Sequence, residues 1–139
     1  MNSLTTRALF KSNFNLLRRQ LIGSLLAKRF STTNKVIEYD GTQSLDQIFS
    51  SSSNVIVDFY ADWCAPCKAL KPIITEKVQN YKDVILVKVN IDNFGDIASD
   101  YDVQGIPYVL HIKNGKKVNE LVGMNKSALE SMFNSIEKL

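Results

Sequence analysis

The hydrophobic and polar positions after residue 33 alternate between patterns typical of strands and patterns typical of helices. Residues 55–60 and 84–90 are apolar on both faces, which predicts central strands of a sheet that is covered on both sides. Further strands are predicted at 35–40, 108–112 and 117–122. Asn114 and Gly115 separate the last two strands, and this pair favours a two-residue hairpin turn, so we expect those strands to be antiparallel.

Helices are predicted between these strands. Residues 64–81 are long enough for several turns, although Pro72 should kink or split that helix. Shorter helices are predicted at 44–49 with Ser44 as N-cap, at 94–101, and from Asn125 or Ser127 onwards. The order of elements is therefore β α β α β α β β α, which predicts an α/β fold with a mixed central β-sheet flanked by α-helices.

The composition is that of one globular domain preceded by a different segment. The chain has 139 residues, of which 45% are hydrophobic. Residues 1–30 carry six of the 17 basic residues and no acidic residue, so the remaining 11 basic and 14 acidic residues give the body a net charge of −3. A mildly acidic body gives no basic footprint for nucleic acid, so we expect no nucleic-acid partner.

The first 30 residues have the character of an organelle transit peptide. They are rich in Arg, Ser, Thr and Asn, and several apolar residues share one helical face, namely Phe10, Phe14, Leu17, Leu21 and Leu25. The longest uncharged apolar run, 21–27, is too short for a membrane span, and we expect no membrane association. We predict a cleavable leader at 1–30 and a mature domain at 31–139; the alternative is a basic disordered tail.

Cys64 and Cys67 are the only cysteines, and they lie where a predicted strand gives way to a predicted helix. Two cysteines three residues apart in a first helical turn are close enough to form a disulfide. Pro66 fits a first turn, where its missing N–H is no loss. Because a helix N-terminus stabilises a thiolate, Cys64 is the candidate nucleophile and Cys67, one turn deeper, is the candidate resolving thiol.

Two other interpretations of the cysteine pair remain open. A zinc site needs four ligands, and the chain offers one Cys pair and the distant His111, so zinc would require a dimer and we expect no metal. Inert buried cysteines are common, but the strand before the pair and the helix after it favour a redox motif.

Asp58 stands in the middle of an apolar strand six residues before Cys64. A buried carboxyl group has a raised pKa and could exchange a proton with a thiol near neutral pH. Lys88 in the next apolar strand is its candidate counter-charge. The alternatives are that Asp58 reaches solvent or caps a turn, and that Lys88 extends its ammonium group to the surface.

Six motifs in register give the body a resemblance to the thioredoxin family, over roughly 36–139. They are the segments 57–68, Pro72, 88–92, 105–108, 113–115 and 122–123. With its leader, the chain is most similar to mitochondrial members of that family. The resemblance implies the thioredoxin fold and reduction of protein disulfides, in which Cys64 attacks the substrate disulfide and Cys67 resolves the mixed disulfide. It also implies that Asp58, assisted by Lys88, accepts the proton of Cys67.

The resemblance further implies a substrate-binding surface around the cysteines. Its residues are Trp63, Pro66, Ile106, Pro107, Tyr108 and Gly123. Pro107 matches the family's cis-proline, and the backbone of Ile106 would pair with an extended substrate. Gly123 matches a glycine that leaves room for substrate, although a glycine in a simple turn is the alternative.

Three residues depart from the usual family pattern. Ala65 replaces a glycine between the cysteines, Tyr60 replaces a common Trp, and Tyr108 replaces a Thr beside the expected groove, where its ring could narrow or redirect client choice. His111 lies in a predicted strand, and we expect it to be structural because no catalytic partner is evident near it.

The resemblance implies that no cofactor is bound and that electrons come from NADPH through thioredoxin reductase. Disulfide-containing proteins such as peroxiredoxins are the expected clients, and the mitochondrial matrix is the expected location. We expect a monomer. The alternative functions are a non-catalytic binding or chaperone module and a disulfide oxidase or isomerase.

Overall fold

The computed structural model describes residues 34–138, and the predicted leader at 1–30 lies outside the described residues. The described elements are β1 (Val36–Glu38), α1 (Leu45–Phe49), β2 (Asn54–Tyr60), α2 (Ala65–Gln79), β3 (Val84–Asn90), α3 (Gly95–Asp100), β4 (Tyr108–Lys113), β5 (Lys116–Val122) and α4 (Lys126–Phe133). This order confirms the predicted α/β fold.

The five strands form one mixed sheet in the order β1-β3-β2-β4-β5. β1, β3 and β2 are parallel, whereas β4 is antiparallel to β2, and β5 is antiparallel to β4. Because β2 and β4 run in opposite directions, the segment that follows β2 lies beside the segment that precedes β4. At this end of the sheet, Phe59 of β2 pairs with Tyr108 of β4.

Apolar side chains cover both faces of the sheet. On one face, Ile56 of β2 packs with Leu70 and Ile74 of α2 and with Phe133 of α4. On the other face, the apolar residues of α1 and α3 pack with alternate residues of the same strands, among them Val57. The sheet is therefore buried on both sides, as its apolar central strands predict.

Local signals in the sequence explain most element boundaries. Ser44 and Gln47 form a capping box at the start of α1, and Asn125 caps α4, which leaves Ser127 inside that helix. Asn114 and Gly115 have φ angles of 50° and 75°, so they form the left-handed turn that the sequence predicts between β4 and β5.

The second helix departs from its prediction. α2 begins at Ala65, one residue after Cys64, and runs to Gln79 without a break at Pro72. Pro72 therefore does not split the helix. No helix within residues 34–138 has the length and hydrophobicity that a membrane crossing requires.

Candidate active site

Cys64 and Cys67 are joined by a disulfide at the N-terminus of α2, with their Cα atoms 5.3 Å apart. Cys64 is the N-cap of the helix, and Ala65 and Pro66 occupy its first two positions. A helix places residues three apart on neighbouring positions, so the bond spans one turn. Local chain geometry alone can thus bring the sulfur atoms together.

The N-terminus of α2 gives the two sulfur atoms different electrostatic surroundings. The backbone N–H of Cys67 donates a hydrogen bond to Sγ of Cys64 over 3.2 Å. Exposure does not distinguish the cysteines, since their residues are 4% and 3% exposed. The difference is therefore electrostatic: a thiolate at Cys64 would receive a backbone N–H and the positive end of the helix dipole.

Asp58 is buried, 1% exposed, on the face of β2 that packs against α2. Its Oδ1 atom has no hydrogen-bond partner within the described part of the chain. Burial, partly offset by the positive charge of Lys88, raises the pKa of Asp58 to about 6. A cavity of about 160 Å³ is lined by both Asp58 and Cys67 and is large enough to admit water. The carboxyl group of Asp58 and the Cys67 residue therefore border one water-sized cavity.

Lys88 is the neighbour of Asp58 in the sheet but not its ion-pair partner. The parallel register of β2 and β3 sets Asp58 beside Lys88. The Lys88 ammonium nevertheless binds Oε1 of Glu38 in β1 at 3.0 Å. The positive charge of Lys88 still lowers the pKa of Asp58, as expected of a counter-charge, but the direct ion pair of Lys88 is with Glu38. Glu38 is a residue that sequence reasoning missed.

Ile106 and Pro107 lie beside the disulfide, as the antiparallel pairing of β2 and β4 requires. Ile106 packs against the buried cluster formed by Ala61 and the two cysteines. The Ile106–Pro107 peptide bond is cis, as the resemblance implies. Among the described residues, neither the N–H nor the C=O of Ile106 has a backbone partner.

Gly123 follows β5 and contacts the same segment. Its N–H donates a hydrogen bond to the carbonyl of Pro107 over 2.8 Å. Its φ angle is +76°, and a Cβ atom built on it would meet nothing within 4 Å. The backbone conformation alone thus favours glycine here, and the space beside it is open.

Two further predicted surface residues are exposed at this end of the sheet. Trp63 is 69% exposed, and its Nε1–H donates a hydrogen bond to Oδ1 of Asp92 over 3.3 Å. Pro66 is exposed in the first turn of α2. This hydrogen bond joins the indole to Asp92, a partner that no local pattern in the sequence indicates.

The Tyr108 ring is buried, which argues against the prediction that it lies beside the substrate groove, where it could narrow or redirect client choice. The residue is 4% exposed, and its ring lies 5.9 Å from that of Phe59 on the opposite face of the sheet from Asp58. Its hydroxyl donates to Oε2 of Glu120 over 2.7 Å. Burial, followed by this bond to Glu120, raises the pKa of Tyr108 to about 12.

His111 is fully buried, away from the cysteines. Its Nε2 atom lies 2.9 Å from Oδ1 of Asn54, and its Nδ1 atom has no partner within residues 34–138. Burial lowers the pKa of His111, which favours the neutral ring. Because an amide oxygen only accepts, the contact with Asn54 Oδ1 assigns the ring proton to Nε2. Within the same residues, no three His, Cys, Asp or Glu side chains are grouped as metal ligands.

A disulfide capping a helix, a buried carboxyl group behind it and a cis-proline beside it together define a dithiol–disulfide exchange protein on an α/β scaffold. The Thioredoxin family model matches residues 35–135. The chain belongs to the thioredoxin family and is a thioredoxin-type thiol–disulfide oxidoreductase.

Known proteins similar to the chain carry the same family name. The thioredoxin of Mycoplasmoides gallisepticum is 44% identical over 79 residues, which cover 57% of this chain and 79% of that protein. The mitochondrial thioredoxin of Rattus norvegicus is 39% identical over 108 residues, covering 76% of this chain and 64% of that protein.

A solved structure from work on the thiol-resolving mechanism in yeast mitochondrial 1-Cys peroxiredoxin, via glutathione and thioredoxin systems, has a similar fold. It has a TM-score of 0.67 and 29% identity, and the match covers 72% of this chain and 94% of that chain.

Proposed function

We propose that the chain reduces disulfides of client proteins in mitochondria, with Cys64 as the nucleophile and Cys67 as the resolving thiol. The observation that carries this proposal is the hydrogen bond from the Cys67 N–H to the Cys64 sulfur at the start of α2. A thiolate at that position is stabilised before any client binds, and the thiolate is the reactive form of cysteine.

The first step starts from the dithiol form. The Cys64 thiolate attacks one sulfur of the client disulfide, the client S–S bond breaks, and a mixed disulfide with Cys64 forms. The other client sulfur leaves as a thiolate and takes up a proton. Within a mixed disulfide, Cys67 is one helical turn from the sulfur that it must attack.

The second step needs a proton acceptor for Cys67. Asp58 lines the same cavity as Cys67, and a carboxylate whose pKa is about 6 is a stronger base than an ordinary one. After it loses its proton to Asp58, Cys67 attacks Cys64, the mixed disulfide breaks, and the client leaves with both sulfur atoms reduced. The product is the Cys64–Cys67 disulfide that this structure contains.

The client is proposed to bind the surface beside the disulfide. Exposed apolar side chains of Trp63, Val122 and Met124 belong to segments at this end of the sheet. The unpaired backbone groups of Ile106 offer one donor and one acceptor to an extended client segment. Pro66 and Gly123 complete the proposed surface. The backbone of Ile106 would bind the main chain of any client, and the side chains around it would determine client specificity.

Oxidised protein must be reduced again before the next cycle. We infer that the electrons come from NADPH through thioredoxin reductase, so that this chain itself binds no cofactor. The mitochondrial thioredoxin similar to this chain and the acid-free leader at 1–30 support a mitochondrial location, with the matrix as the compartment. The peroxiredoxin work behind the yeast structure supports peroxiredoxins as clients.

The activity test is insulin reduction in the presence of NADPH and thioredoxin reductase. We expect turnover by the wild type and none by Cys64→Ser, whereas Cys67→Ser should accumulate a mixed disulfide with the client. Turnover that survives Cys64→Ser would contradict the mechanism. Equilibration with glutathione measures the reduction potential of the Cys64–Cys67 pair. That potential separates a reductase from an oxidase or isomerase, since a difference of about 30 mV corresponds to a factor of ten in the equilibrium constant.

The location has an independent test. Native protein purified from isolated mitochondria should begin near Ser31, because the leader would be removed during import. A native chain that retains Met1 or Asn2 would contradict the proposed cleavage between the leader at 1–30 and the mature domain at 31–139.

A further inference from the structure

Three ionisable side chains form a row across three parallel strands behind the disulfide. The register pairs Glu38 of β1 with Lys88 of β3 and Lys88 with Asp58 of β2. Alternate residues of a strand point to the same face, and Val36 and Ile56 place Glu38 and Asp58 on the face that packs against α2. Lys88 is thus between two carboxyl groups and can pair with either.

Lys88 lines the same cavity as Asp58, but its direct contacts are with Glu38 and Tyr60. Its Nζ atom is 3.0 Å from Oε1 of Glu38 and 4.2 Å from the centre of the Tyr60 ring. The Tyr60 hydroxyl in turn donates to Oε2 of Glu38 over 3.2 Å. Glu38 therefore accepts hydrogen bonds from both the Lys88 ammonium group and the Tyr60 hydroxyl, and Lys88 lies over the Tyr60 ring.

We propose that Glu38 is a positioning residue that, together with Tyr60, holds the Lys88 ammonium away from Asp58 and so leaves the buried carboxyl group without an ion-pair partner. The role of Asp58 as proton acceptor rests on the proposed function, but the position of Lys88 and its effect on Asp58 do not. The Tyr at position 60, where the family commonly has Trp, supplies the hydroxyl that joins the ring to Glu38.

The other charged and titratable groups around Asp58 are few. α2 contributes Lys68 and Lys71, which line the same cavity, and the loop after β2 contributes Asp62. On the remaining side, β4 places the apolar Val109 opposite Asp58. Lys88 is the only one of these cations that is buried, 1% exposed, so its position affects Asp58 more than exposed lysines do.

The arrangement has a chemical consequence for the second step. Glu38 affects Asp58 in two ways in the same direction: its own negative charge raises the pKa of the carboxyl group, and it removes the cation that would lower that pKa by ion pairing. A carboxylate paired with Lys88 would be a weaker base toward the Cys67 thiol. Glu38 would therefore maintain the basicity of Asp58.

The experiment is a carbon NMR titration of Asp58 in oxidised protein labelled at the aspartate carboxyl carbon, where no thiol titrates. In Glu38→Gln the midpoint of Asp58 should fall by about one unit, because Lys88 is free to approach. Glu137→Gln, which removes a carboxylate paired with the exposed Lys82 at 3.3 Å, is the matched control and should leave the midpoint unchanged. An unchanged or higher midpoint in Glu38→Gln would overturn the proposal.

A second variant tests whether Glu38 affects the pKa of Asp58 by positioning Lys88 or by direct charge repulsion. Lys88→Met alone should raise the Asp58 midpoint, and Glu38→Gln added to it should produce a shift less than half as large as in the wild-type background. An equal shift in both backgrounds would show that Glu38 acts without Lys88 and would overturn the proposal. Thermal unfolding of each variant verifies that it is folded.

The reduced protein gives a kinetic readout. The pH at which resolution of a mixed disulfide by Cys67 reaches half its maximal rate should fall in Glu38→Gln in parallel with the Asp58 midpoint. A rate profile that stays fixed while the midpoint moves would contradict Asp58 as the proton acceptor, and thus the proposed function, without affecting the positioning role of Glu38.

Discussion

The N–H of Gly123 donates a hydrogen bond to the carbonyl of Pro107 over 2.8 Å, which joins the segment after β5 to the segment before β4. The segment before β4 contains Ile106, which packs against the cluster that includes the two cysteines and whose backbone groups have no backbone partner in the described chain. At the same residue the chain turns with a φ of +76°, a conformation that costs residues with a Cβ atom about 1–2 kcal/mol.

Gly123→Ala should therefore lower the free energy of unfolding by about 1 kcal/mol, as measured by urea denaturation. It should also slow the reaction with a protein disulfide, because the bordering segment shifts. Gly95→Ala is the matched control: Gly95 begins α3 with open space around it and no left-handed φ, so alanine there should be neutral or stabilising. Equal losses of stability in the two variants would contradict this account.

Replacing Asp58 should stabilise the protein at neutral pH. Its pKa is raised from 3.8 to about 6 in the folded state, so the stability that this carboxyl group contributes is present below pH 3.8 and is lost as pH rises through about 6. A shift of about two units corresponds to about 3 kcal/mol. Asp58→Asn should thus be more stable than the wild type by up to that amount at pH 8.

The pH dependence makes the Asp58 prediction specific. The difference in the free energy of unfolding between Asp58→Asn and the wild type should grow between pH 4 and pH 7 and stay constant above it. If the difference were the same at pH 4 and pH 8, the charge of Asp58 would not be its cause. Enzymatic turnover of the variant should fall even though its stability rises, since the proton acceptor is lost.

Much of this fold follows from local patterns in the sequence. The two central strands are recognisable because apolar residues cover both faces of 55–60 and 84–90. The cysteine pair is recognisable because Pro66 and the helical spacing mark the start of a helix. These features depend on neighbours in the chain, and the structure confirms them.

The features that the sequence did not predict depend on the order of the strands. Glu38 binds Lys88 because β1 pairs with β3 rather than with β2, and nothing local to residue 38 indicates that. In the same way, the alternation of β4 places Tyr108 on the face away from Asp58. The face that a residue occupies can be predicted from the hydrophobic periodicity. Its neighbour on the adjacent strand can be predicted only when the strand order of the sheet is known.

Tyr108 provides a test of that correction. Its hydroxyl donates to Glu120, which lies at the surface, so Tyr108→Phe should cost about 1 kcal/mol of stability by urea denaturation. Because the ring is buried, the relative rates with different client disulfides should stay the same. Tyr39→Phe is the control, since the hydroxyl of Tyr39 makes no hydrogen bond within the described chain, and it should be near neutral. A changed client preference in Tyr108→Phe would restore the idea that Tyr108 borders the groove.

His111, the only histidine in the chain, should make stability depend on pH in the opposite sense to Asp58. Its folded pKa is lowered below 6.5 by burial, so the stability that it contributes is fully present above pH 6.5 and is lost as pH falls toward the folded pKa. His111→Leu leaves Oδ1 of Asn54 unpaired and should be less stable than the wild type at pH 8 by about 1–3 kcal/mol. That deficit should shrink between pH 6.5 and pH 5, because only the wild type must take up a proton against burial. A deficit that stays constant down to pH 5 in urea titrations would mean that His111 does not titrate in this way.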